Sequence, residues 1–254
     1  MNKPAILVTG AAKRLGAAIA NSFGQAGWHV VIHYRSSAEQ AQLLADALPS
    51  AETVQCDLAD CASAAAMIED LAARLTDWRV VVNSASIFEP DNVTGIDGTT
   101  YDRAMKVNAQ APALMAQKFF CMARAQGGRR VIQLTDQKIA NTNPDFFSYT
   151  MSKHAVHGAV GMLAKAQVDP RDRVYSLAPG AILPSHDQDE AETDASHVLN
   201  LLRRKTGAEE VGKAALFLAE GYLKSGATLF VDSGQHLLDQ PRDVIYLARE
   251  NARK

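Results

Sequence analysis

A tyrosine and a lysine four positions apart, Tyr149 and Lys153, are the residues of this 254-residue chain best suited to move a proton. Four residues span about one helical turn, so the phenol and the ammonium share one helix face. The ammonium favours the phenolate, which predicts a lowered tyrosine pKa and better proton transfer near neutral pH. The spacing alone arises by chance in many helices. It gains weight from a glycine-rich turn near the start of the chain.

Asp136 precedes Tyr149 by thirteen positions and follows a short apolar run. An ionised aspartate cannot donate a hydrogen bond to a ketone oxygen, and it repels the negative charge that develops there during reduction. Reduction of a C=N bond is different, because the nitrogen must be protonated and neighbouring N–H groups need acceptors. Asp136 therefore favours a nitrogen heterocycle as substrate, with proton relay through Tyr149. The alternative is an aspartate that caps the segment after a strand.

Residues 9–16, with the sequence TGAAKRLG, lie between an apolar run and a helical pattern. Glycines permit a tight turn, and the helix that follows offers unpaired N–H groups to a diphosphate. The cofactor-binding residues expected here are Gly10, Lys13, Arg14, Leu15 and Gly16. The pattern is not a strict G-x-G-x-x-G, because Arg14 stands where a third glycine is common. An ordinary strand-to-helix turn is the alternative.

The second apolar run ends in His33, Tyr34, Arg35 and Ser36, with no acidic residue. An acid at this point would bind the ribose 2′-hydroxyl of NAD and repel a 2′-phosphate. A guanidinium instead holds a phosphate through two hydrogen bonds. We therefore predict NADP(H) as the cofactor, with Arg35 as the main phosphate ligand. The alternative is that Arg35 is a solvated surface charge.

Two further segments are expected to border the cofactor, because each follows an apolar run. Asp57 and Leu58 come after the third run, where a carboxylate can accept from the adenine amino group. Helix capping by Asp57 is an equally good interpretation. The fourth run is followed by Asn83, Ser84, Ala85 and Ser86, small residues that let the backbone approach the cofactor. A plain turn is the alternative for these four residues.

Seven apolar runs alternate with longer amphipathic stretches along the whole chain. The runs, at residues 5–8, 29–33, 53–55, 80–82, 131–134, 174–177 and 228–231, are typical of buried parallel strands. The amphipathic stretches predict helices at 14–25, 37–48, 61–75, 99–124, 147–166 and 209–220. This alternation predicts an α/β fold with a single Rossmann-type, doubly wound parallel sheet and helices on both faces. We expect one dinucleotide-binding catalytic domain over residues 1–254.

The composition of the chain bears on its binding partners and on its cellular compartment. A formal net charge of −2 indicates neither nucleic acid nor an anionic membrane as a partner. Three cysteines without a C-x-x-C pattern suggest small buried side chains in a reducing compartment. Residues 4–8 lead directly into a turn, so we expect no signal peptide and no spanning segment. The predicted location is the cytoplasm. The acidic segment 185–195 predicts a solvated mobile loop, which in this kind of fold can close over a substrate.

These motifs together resemble the short-chain dehydrogenase/reductase family. The matching positions are Thr9, Gly10, Gly16, Asn83, Ser84, Ala85, Asn108, Tyr149, Lys153, Pro179 and Gly180. The resemblance implies that Tyr149 is the proton donor, that Lys153 holds the nicotinamide ribose, and that Asn108 supports a proton-relay water. Pro179 and Gly180 would flank the nicotinamide. Family members usually assemble as tetramers or dimers through the long helices, here at 99–124 and 147–166. Met105, Leu114, Phe119 and Phe120 are consistent with such an interface or with a simple core.

Within that family the chain looks most similar to pteridine reductases and dihydromonapterin reductases. The local matches are the arginine-containing first turn, the His33–Ser36 segment, Asn83 to Phe88, Asp136 in place of the family serine, and the segment 232–236. This implies NADPH-dependent reduction of a dihydropterin, bound by Arg14, Ser86, Phe88, Asp136 and Tyr149. Phe88 would stack on the pterin ring, and a core phenylalanine under the loop is the alternative. Ser84 replaces an asparagine, Ser233 replaces a glycine, and residues 238–254 form an extension without a counterpart.

Two other functions fit the same pattern. A general carbonyl or quinone reductase would have the same fold, and Asp136 argues against it. A non-catalytic NADPH sensor would have no need of a tuned proton donor. The substrate side chain is expected to meet a loop at about 183–207, whose sequence does not distinguish monapterin, biopterin and folate types.

Overall fold

Seven parallel strands form one sheet in the computed structural model, which describes residues 3–185 and 188–253. The strands are β1 (Ala5–Val8), β2 (His29–Tyr34), β3 (Ala51–Gln55), β4 (Trp78–Asn83), β5 (Arg130–Leu134), β6 (Arg173–Pro179) and β7 (Thr228–Val231). Their order is β3-β2-β1-β4-β5-β6-β7. Each predicted run is a strand, extended by at most two residues at either end. The order reverses between β1 and β4, so a crevice opens there at the carboxyl ends of the strands.

Helices cover both faces of this sheet, as the alternating pattern predicted. They are α1 (Arg14–Gln25), α2 (Ala38–Ala47), α3 (Cys61–Arg74), α4 (Gly98–Met105), α5 (Ala111–Met122), α6 (Phe147–Lys165), α7 (Glu190–Ser196), α8 (Ala208–Glu220) and α9 (Val244–Ala252). One apolar core joins the sheet to α3, α5 and α6, and a second joins it to α1, α2 and α8. Ile68 and Phe119 are fully buried in the first core, and Ile19 and Phe23 in the second.

The long helix predicted over 99–124 is interrupted by a π-helical turn, Lys106–Gln110. The turn inserts Asn108 between α4 and α5 and buries it almost completely. π turns inside helices often mark functional sites. Phe119 belongs to the core, whereas Leu114 on the same helix is 39% exposed, so these apolar positions do not share one face.

Two helices were not predicted, and one of them corrects an expectation. The segment 185–195 was expected to be a mobile loop, but α7 begins within it. The Asp189 carboxylate accepts a hydrogen bond from Glu192 N at 2.8 Å, which caps the helix, and two acidic residues in the first turn complement its dipole. Residues 186 and 187 of that segment lie outside the described residues. The second unpredicted helix, α9, lies in the extension after residue 238.

Two further features of the chain concern the cysteines and the lengths of the helices. Cys56 is buried as expected, but Cys61 is partly exposed and Cys121 is exposed. Among the described residues, no helix combines the length and the apolar character needed to cross a bilayer.

Candidate active site

The turn after β1 brings the backbone of residues 9–16 against the end of β4. Gly10 has φ +64°, and a Cβ atom there would lie 2.9 Å from Ala85 Cα. The Thr9 hydroxyl oxygen accepts hydrogen bonds from Ser84 N and Ala85 N, each at 3.0 Å. Gly16 likewise has no room for a Cβ, because that atom would meet the Gly10 carbonyl. The absence of side chains at these positions makes a bare-backbone cradle, which is what close approach to a diphosphate requires.

Arg14 and Ser233 replace two glycines of the family pattern, and both occupy the left-handed region of backbone space. Their φ angles are +57° and +53°. L-residues adopt this conformation at a cost that glycine avoids. The backbone conformation thus explains why glycine is usual at both points.

His33 links the glycine-rich turn to the end of β3 through hydrogen bonds, and its side chain is uncharged. Its side chain is buried, accepts from Gly10 N through Nδ1 at 3.0 Å, and lies 3.0 Å from the Cys56 carbonyl through Nε2. Since a backbone N–H donates to Nδ1, the proton of the neutral ring lies on Nε2 and is donated to Cys56 O. Burial lowers the pKa of His33 to about 4, so the imidazole stays neutral near pH 7.

A cleft of about 590 Å³ lies along the carboxyl ends of the strands. That volume suits a small-molecule ligand. Most of the predicted cofactor residues line it: Gly10, Lys13, Arg14, Leu15, Gly16, His33, Arg35, Asp57, Leu58, Ser84, Ala85, Tyr149, Lys153, Pro179 and Gly180. The predicted substrate residues Ser86, Phe88 and Asp136 line it as well. Tyr34, Ser36, Asn83 and Asn108 do not line it. Asn83 is turned into the interior, where its amide donates to Gln133 Oε1 at 3.0 Å.

Asp57 does not cap a helix, so the helix-capping interpretation of this residue is wrong. Its carboxylate accepts from Ala59 N at 3.0 Å in a local turn, while Asp60 caps α3 through Ala62 N. Asp57 remains at the wall of the cleft, beside Leu58.

Tyr149 and Asp136 form the central pair of the cleft. The phenol donates a hydrogen bond to Asp136 Oδ2 at 2.7 Å. The other carboxylate oxygen, Oδ1, accepts from Lys138 N at 2.9 Å and caps a short 3₁₀ turn, Gln137–Ile139. The capping interpretation of Asp136 is therefore correct, and it leaves one oxygen for Tyr149. Burial raises the pKa of Asp136 above its usual range, although the nearby Lys138 opposes this.

The pKa of Tyr149 differs in direction from the prediction. The Tyr149–Lys153 spacing predicted a lowered pKa, but burial and the Asp136 carboxylate raise it well above the usual value for tyrosine. The phenol is therefore a fully protonated donor at neutral pH. Lys153 donates to the Leu134 carbonyl at 2.7 Å, and its ammonium lies 5.4 Å from the centre of the Tyr149 ring. Burial lowers the pKa of Lys153 to about 8.

Asn108 braces the loop after β4 and has no direct contact with the Tyr149 phenol. Its side-chain oxygen accepts from Ile87 N at 2.8 Å, and its amide donates to Ile87 O and to Ser152 Oγ. The Ser152 hydroxyl in turn donates to Tyr149 O at 2.6 Å. The π turn thus links the loop that carries Phe88 to the helix that carries Tyr149.

Three aromatic rings, those of Phe88, Tyr149 and Phe146, pack together on one side of the cleft. The Phe88 ring meets the Tyr149 ring edge-on, with centroids 4.7 Å apart and planes at 87°. On another side it stacks on Phe146, with centroids 4.2 Å apart and planes at 22°. Phe88 therefore forms an apolar wall close to the proton donor.

Several residues of the cleft escaped the sequence interpretation. They include Lys138, Asp243, Val244 and Ile245. Lys138 lies only two residues after Asp136. The other three come from the start of α9, for which the sequence carried no strand or glycine-turn signal. Gln188 and His197 also line the cleft, and they belong to the loop at about 183–207 that was expected to meet the substrate side chain.

The chain is similar in sequence and in fold to known reductases. A family model described as enoyl-(acyl carrier protein) reductase, from the short-chain dehydrogenase/reductase family, matches residues 10–236. Pteridine reductase 1 of Leishmania tarentolae is 29% identical, over 92% of this chain and 96% of its own. The structure of FolM alternative dihydrofolate reductase 1 from Brucella suis with NADP has a TM-score of 0.86 and 32% identity, over 93% of this chain and 96% of that one. The angucycline C-6 ketoreductase LanV with bound NADP has a TM-score of 0.84 and 26% identity, over 92% and 96%.

Proposed function

The chain belongs to the short-chain dehydrogenase/reductase family, and from that membership we propose that it reduces a dihydropterin to the tetrahydro form with NADPH. Dihydromonapterin and dihydrobiopterin are the substrates proposed. That the protein is an NAD(P)-dependent reductase follows from the family match itself. The pterin assignment is supported by similarity to a pteridine reductase and to an alternative dihydrofolate reductase, and above all by Asp136.

The choice of NADPH is supported by the residues at the cofactor end of the cleft. The bare backbone of Gly10 and Gly16 fits a diphosphate, and no acidic residue follows β2 at the point where it would repel a 2′-phosphate. Arg35 lines the cleft there, with Lys13 and Arg14 on the adjoining turn. Guanidinium groups bind phosphate through paired hydrogen bonds. The similar FolM and LanV structures both contain NADP.

The observation that carries the substrate class is the 2.7 Å hydrogen bond between Tyr149 and Asp136. A carboxylate at this point suits a substrate whose reacting atom must be protonated and whose neighbours are N–H donors. It does not suit a ketone oxygen that gains negative charge. A dihydropterin presents both a C=N bond and N–H donors, and its flat ring matches the Phe88 wall.

The residues of the chain then have distinct roles. The nicotinamide supplies a hydride when it is bound. Tyr149, protonated across the neutral range, donates its proton to the ring nitrogen next to the reduced carbon. Asp136 accepts the hydrogen bond of the phenol, and its raised pKa favours uptake of a proton from solvent, which it passes to the phenolate after Tyr149 has given up its own. Lys153 is anchored on Leu134 O, and its remaining N–H groups would hold the nicotinamide ribose. Phe88 orients the ring, and Asn108 keeps the Phe88 loop in register with Tyr149.

NADPH consumption with a panel of dihydropterins, dihydrofolate and simple ketones tests the proposal. The comparison is between the wild type and Asp136→Ser, which restores the family serine. Asp70→Ser, on the exposed side of α3, is the matched control. We expect turnover of dihydropterins that falls at least a hundredfold in Asp136→Ser and stays unchanged in the control. Turnover of ketones alone, unchanged or improved by the serine, would instead assign the protein to the carbonyl reductases.

The proposal includes a cytoplasmic location and a homotetrameric or homodimeric assembly. Support for assembly comes from α5 and α6, where Leu114 is 39% exposed, Met151 39% and Met162 68%. Apolar side chains exposed on neighbouring long helices are typical of an interface. Size-exclusion chromatography with light scattering measures the assembly directly, and a monomer at micromolar concentration would refute this part.

A further inference from the structure

The extension after residue 238 returns to the cleft and supplies part of its wall. Three consecutive residues, Asp243, Val244 and Ile245, line the same cleft as Tyr149 and Asp136, and all three are buried. Asp243 caps α9 by accepting from Ile245 N at 3.1 Å. The start of the helix therefore fixes the direction in which these side chains point.

Apolar packing connects α9 to the residues proposed to hold the substrate. Ile245 is buried in one cluster with Tyr149 and Phe146, and Phe88 packs against that cluster. Tyr246 stacks on Phe146 with centroids 6.0 Å apart and planes at 24°. Phe146 stacks in turn on Phe88 at 4.2 Å. The Phe88 wall is therefore supported from behind by the extension.

Ion pairs hold the extension in place at both ends. The Lys138 ammonium lies 2.8 Å from Asp243 Oδ2, and both side chains are at least nine-tenths buried. The Asp145 carboxylate accepts two hydrogen bonds from Arg242, at 2.8 and 3.0 Å, and a third from Asp243 N at 2.9 Å. Further along, Arg249 binds Glu192 of α7 at 2.7 Å.

One ion pair, Lys138 with Asp243, determines the charge at this end of the cleft. Asp243 neutralises Lys138, the cation of the segment that follows Asp136. Two other charges lie near the Tyr149 phenol: the Asp136 carboxylate, at 2.7 Å, and the Lys153 ammonium, 5.4 Å from the centre of the ring. Asp243 also contributes to the raised pKa of Tyr149. An anionic substrate group beside Asp243 therefore meets a Lys138 ammonium whose charge is already paired.

We propose that residues 243–246 form a specificity wall of the substrate site within the same subunit, with Asp243 selecting against substrates that carry an anionic side chain. The inference rests on the proposed pterin reduction and deepens it. Tyr246 is a positioning residue, because it acts through Phe146 on Phe88. The wall favours dihydropterins with short neutral side chains over dihydrofolate, whose side chain ends in carboxylates.

The test compares kcat/KM for dihydromonapterin and dihydrofolate in the full-length wild type and in Asp243→Asn. The substitution keeps an acceptor for the α9 cap but leaves the Lys138 charge unpaired. We expect the ratio of dihydrofolate to dihydromonapterin activity to rise roughly tenfold, while the Kd of NADPH changes by less than about threefold. Asp239→Asn removes the same charge from an exposed position before α9 and should keep the wild-type ratio.

A second pair of variants keeps the proposal falsifiable if Asp243→Asn does not fold. Tyr246→Ala should raise KM for dihydromonapterin roughly five- to tenfold with unchanged NADPH binding, and Tyr246→Phe, which keeps the ring stack, should restore it. A wild-type substrate ratio in Asp243→Asn, or for a folded Tyr246→Ala a wild-type KM, overturns the specificity wall. If no dihydropterin is turned over by the wild type at all, the proposed function itself has failed, and the inference falls with it.

Discussion

Tyr149 donates its phenolic hydrogen to Asp136 across 2.7 Å, in a part of the cleft where the tyrosine is buried and the aspartate is half-buried. Burial raises the pKa of both groups, so neither loses its proton as readily as it would in water. The carboxylate accepts the hydrogen bond of the phenol, and a proton that Asp136 takes up can pass to the tyrosine. This is a different arrangement from a tyrosine made acidic by a lysine, and it makes distinct predictions.

The pH dependence of kcat/KM for a dihydropterin should be controlled by Asp136. Since its pKa is raised, the protonated form persists above the ordinary aspartate range and is lost as the pH rises through that pKa. We expect activity to fall on the alkaline side, and Asp136→Asn to remove this descending limb along with most of the rate. A limb that survives in Asp136→Asn would belong to Lys153, whose pKa is lowered to about 8, and would exclude the aspartate as the controlling acid.

Tyr149→Phe should remove the proton donor and leave the cofactor site intact. The ring still packs against Phe88, but the hydroxyl that bonds Asp136 is gone. We expect kcat to fall on the order of 10²–10⁴-fold, the usual contribution of a positioned acid, with the Kd of NADPH within about threefold of wild type. Tyr222→Phe, a 75%-exposed tyrosine, provides the control. A near-normal kcat in Tyr149→Phe would assign proton donation to another group.

Arg35 should decide between the two nicotinamide cofactors. Its side chain lines the cleft after β2, where a 2′-phosphate is expected. Arg35→Ala should weaken NADPH binding roughly 10- to 100-fold and leave NADH binding nearly unchanged, because only the phosphate needs the guanidinium. Fluorescence titration with each reduced cofactor measures this. Arg124→Ala, an exposed arginine away from the cleft, is the control. Equal losses for both cofactors would mean that Arg35 supports the fold of the turn instead.

The strands and the cofactor turn were predictable because their signals are local. A buried parallel strand needs apolar residues on both faces, and the turn needs glycine where the backbone must approach Ala85. Arg14 and Ser233 stand where the motif and the family resemblance expected glycine, and both have positive φ angles. Local sequence patterns were therefore enough to predict the strands of the sheet and the cofactor end of the cleft.

The substrate end was less predictable, because it depends on contacts between distant parts of the chain. Asp145 and Arg242 are 97 residues apart, and their ion pair brings α9 to the cleft. The Tyr149–Lys153 spacing likewise gave the correct residues but the wrong direction for the tyrosine pKa. Burial and the Asp136 carboxylate outweigh an ammonium 5.4 Å from the ring, and neither effect can be derived from spacing.

His33 should make the stability of the protein sensitive to acid. Its folded-state pKa of about 4 lies below the unfolded value of 6.5, so its contribution is complete above pH 6.5 and is lost as the pH falls toward 4. The full loss is about 3 kcal/mol in the free energy of unfolding. His33→Gln can still accept from Gly10 N and donate to Cys56 O, and it should flatten this part of the curve. Urea unfolding at several pH values between 4 and 7 provides the measurement. An unchanged slope in His33→Gln would assign the acid sensitivity to other groups.

Arg14 should show a conflict between stability and cofactor binding. Its φ of +57° is a conformation in which an L-residue is strained, by about 1–2 kcal/mol, and glycine is not. Arg14→Gly should therefore be more stable than Arg14→Ala by about 1 kcal/mol in urea unfolding, the reverse of the usual order in helices. The same pair at Gln42, an exposed interior position of α2, should show the usual order, with alanine more stable. Both Arg14 variants lose the guanidinium at the cleft, so both should bind NADPH roughly tenfold more weakly than the wild type. If alanine were the more stable residue at position 14 as well, the left-handed conformation would not be the reason that glycine is usual there.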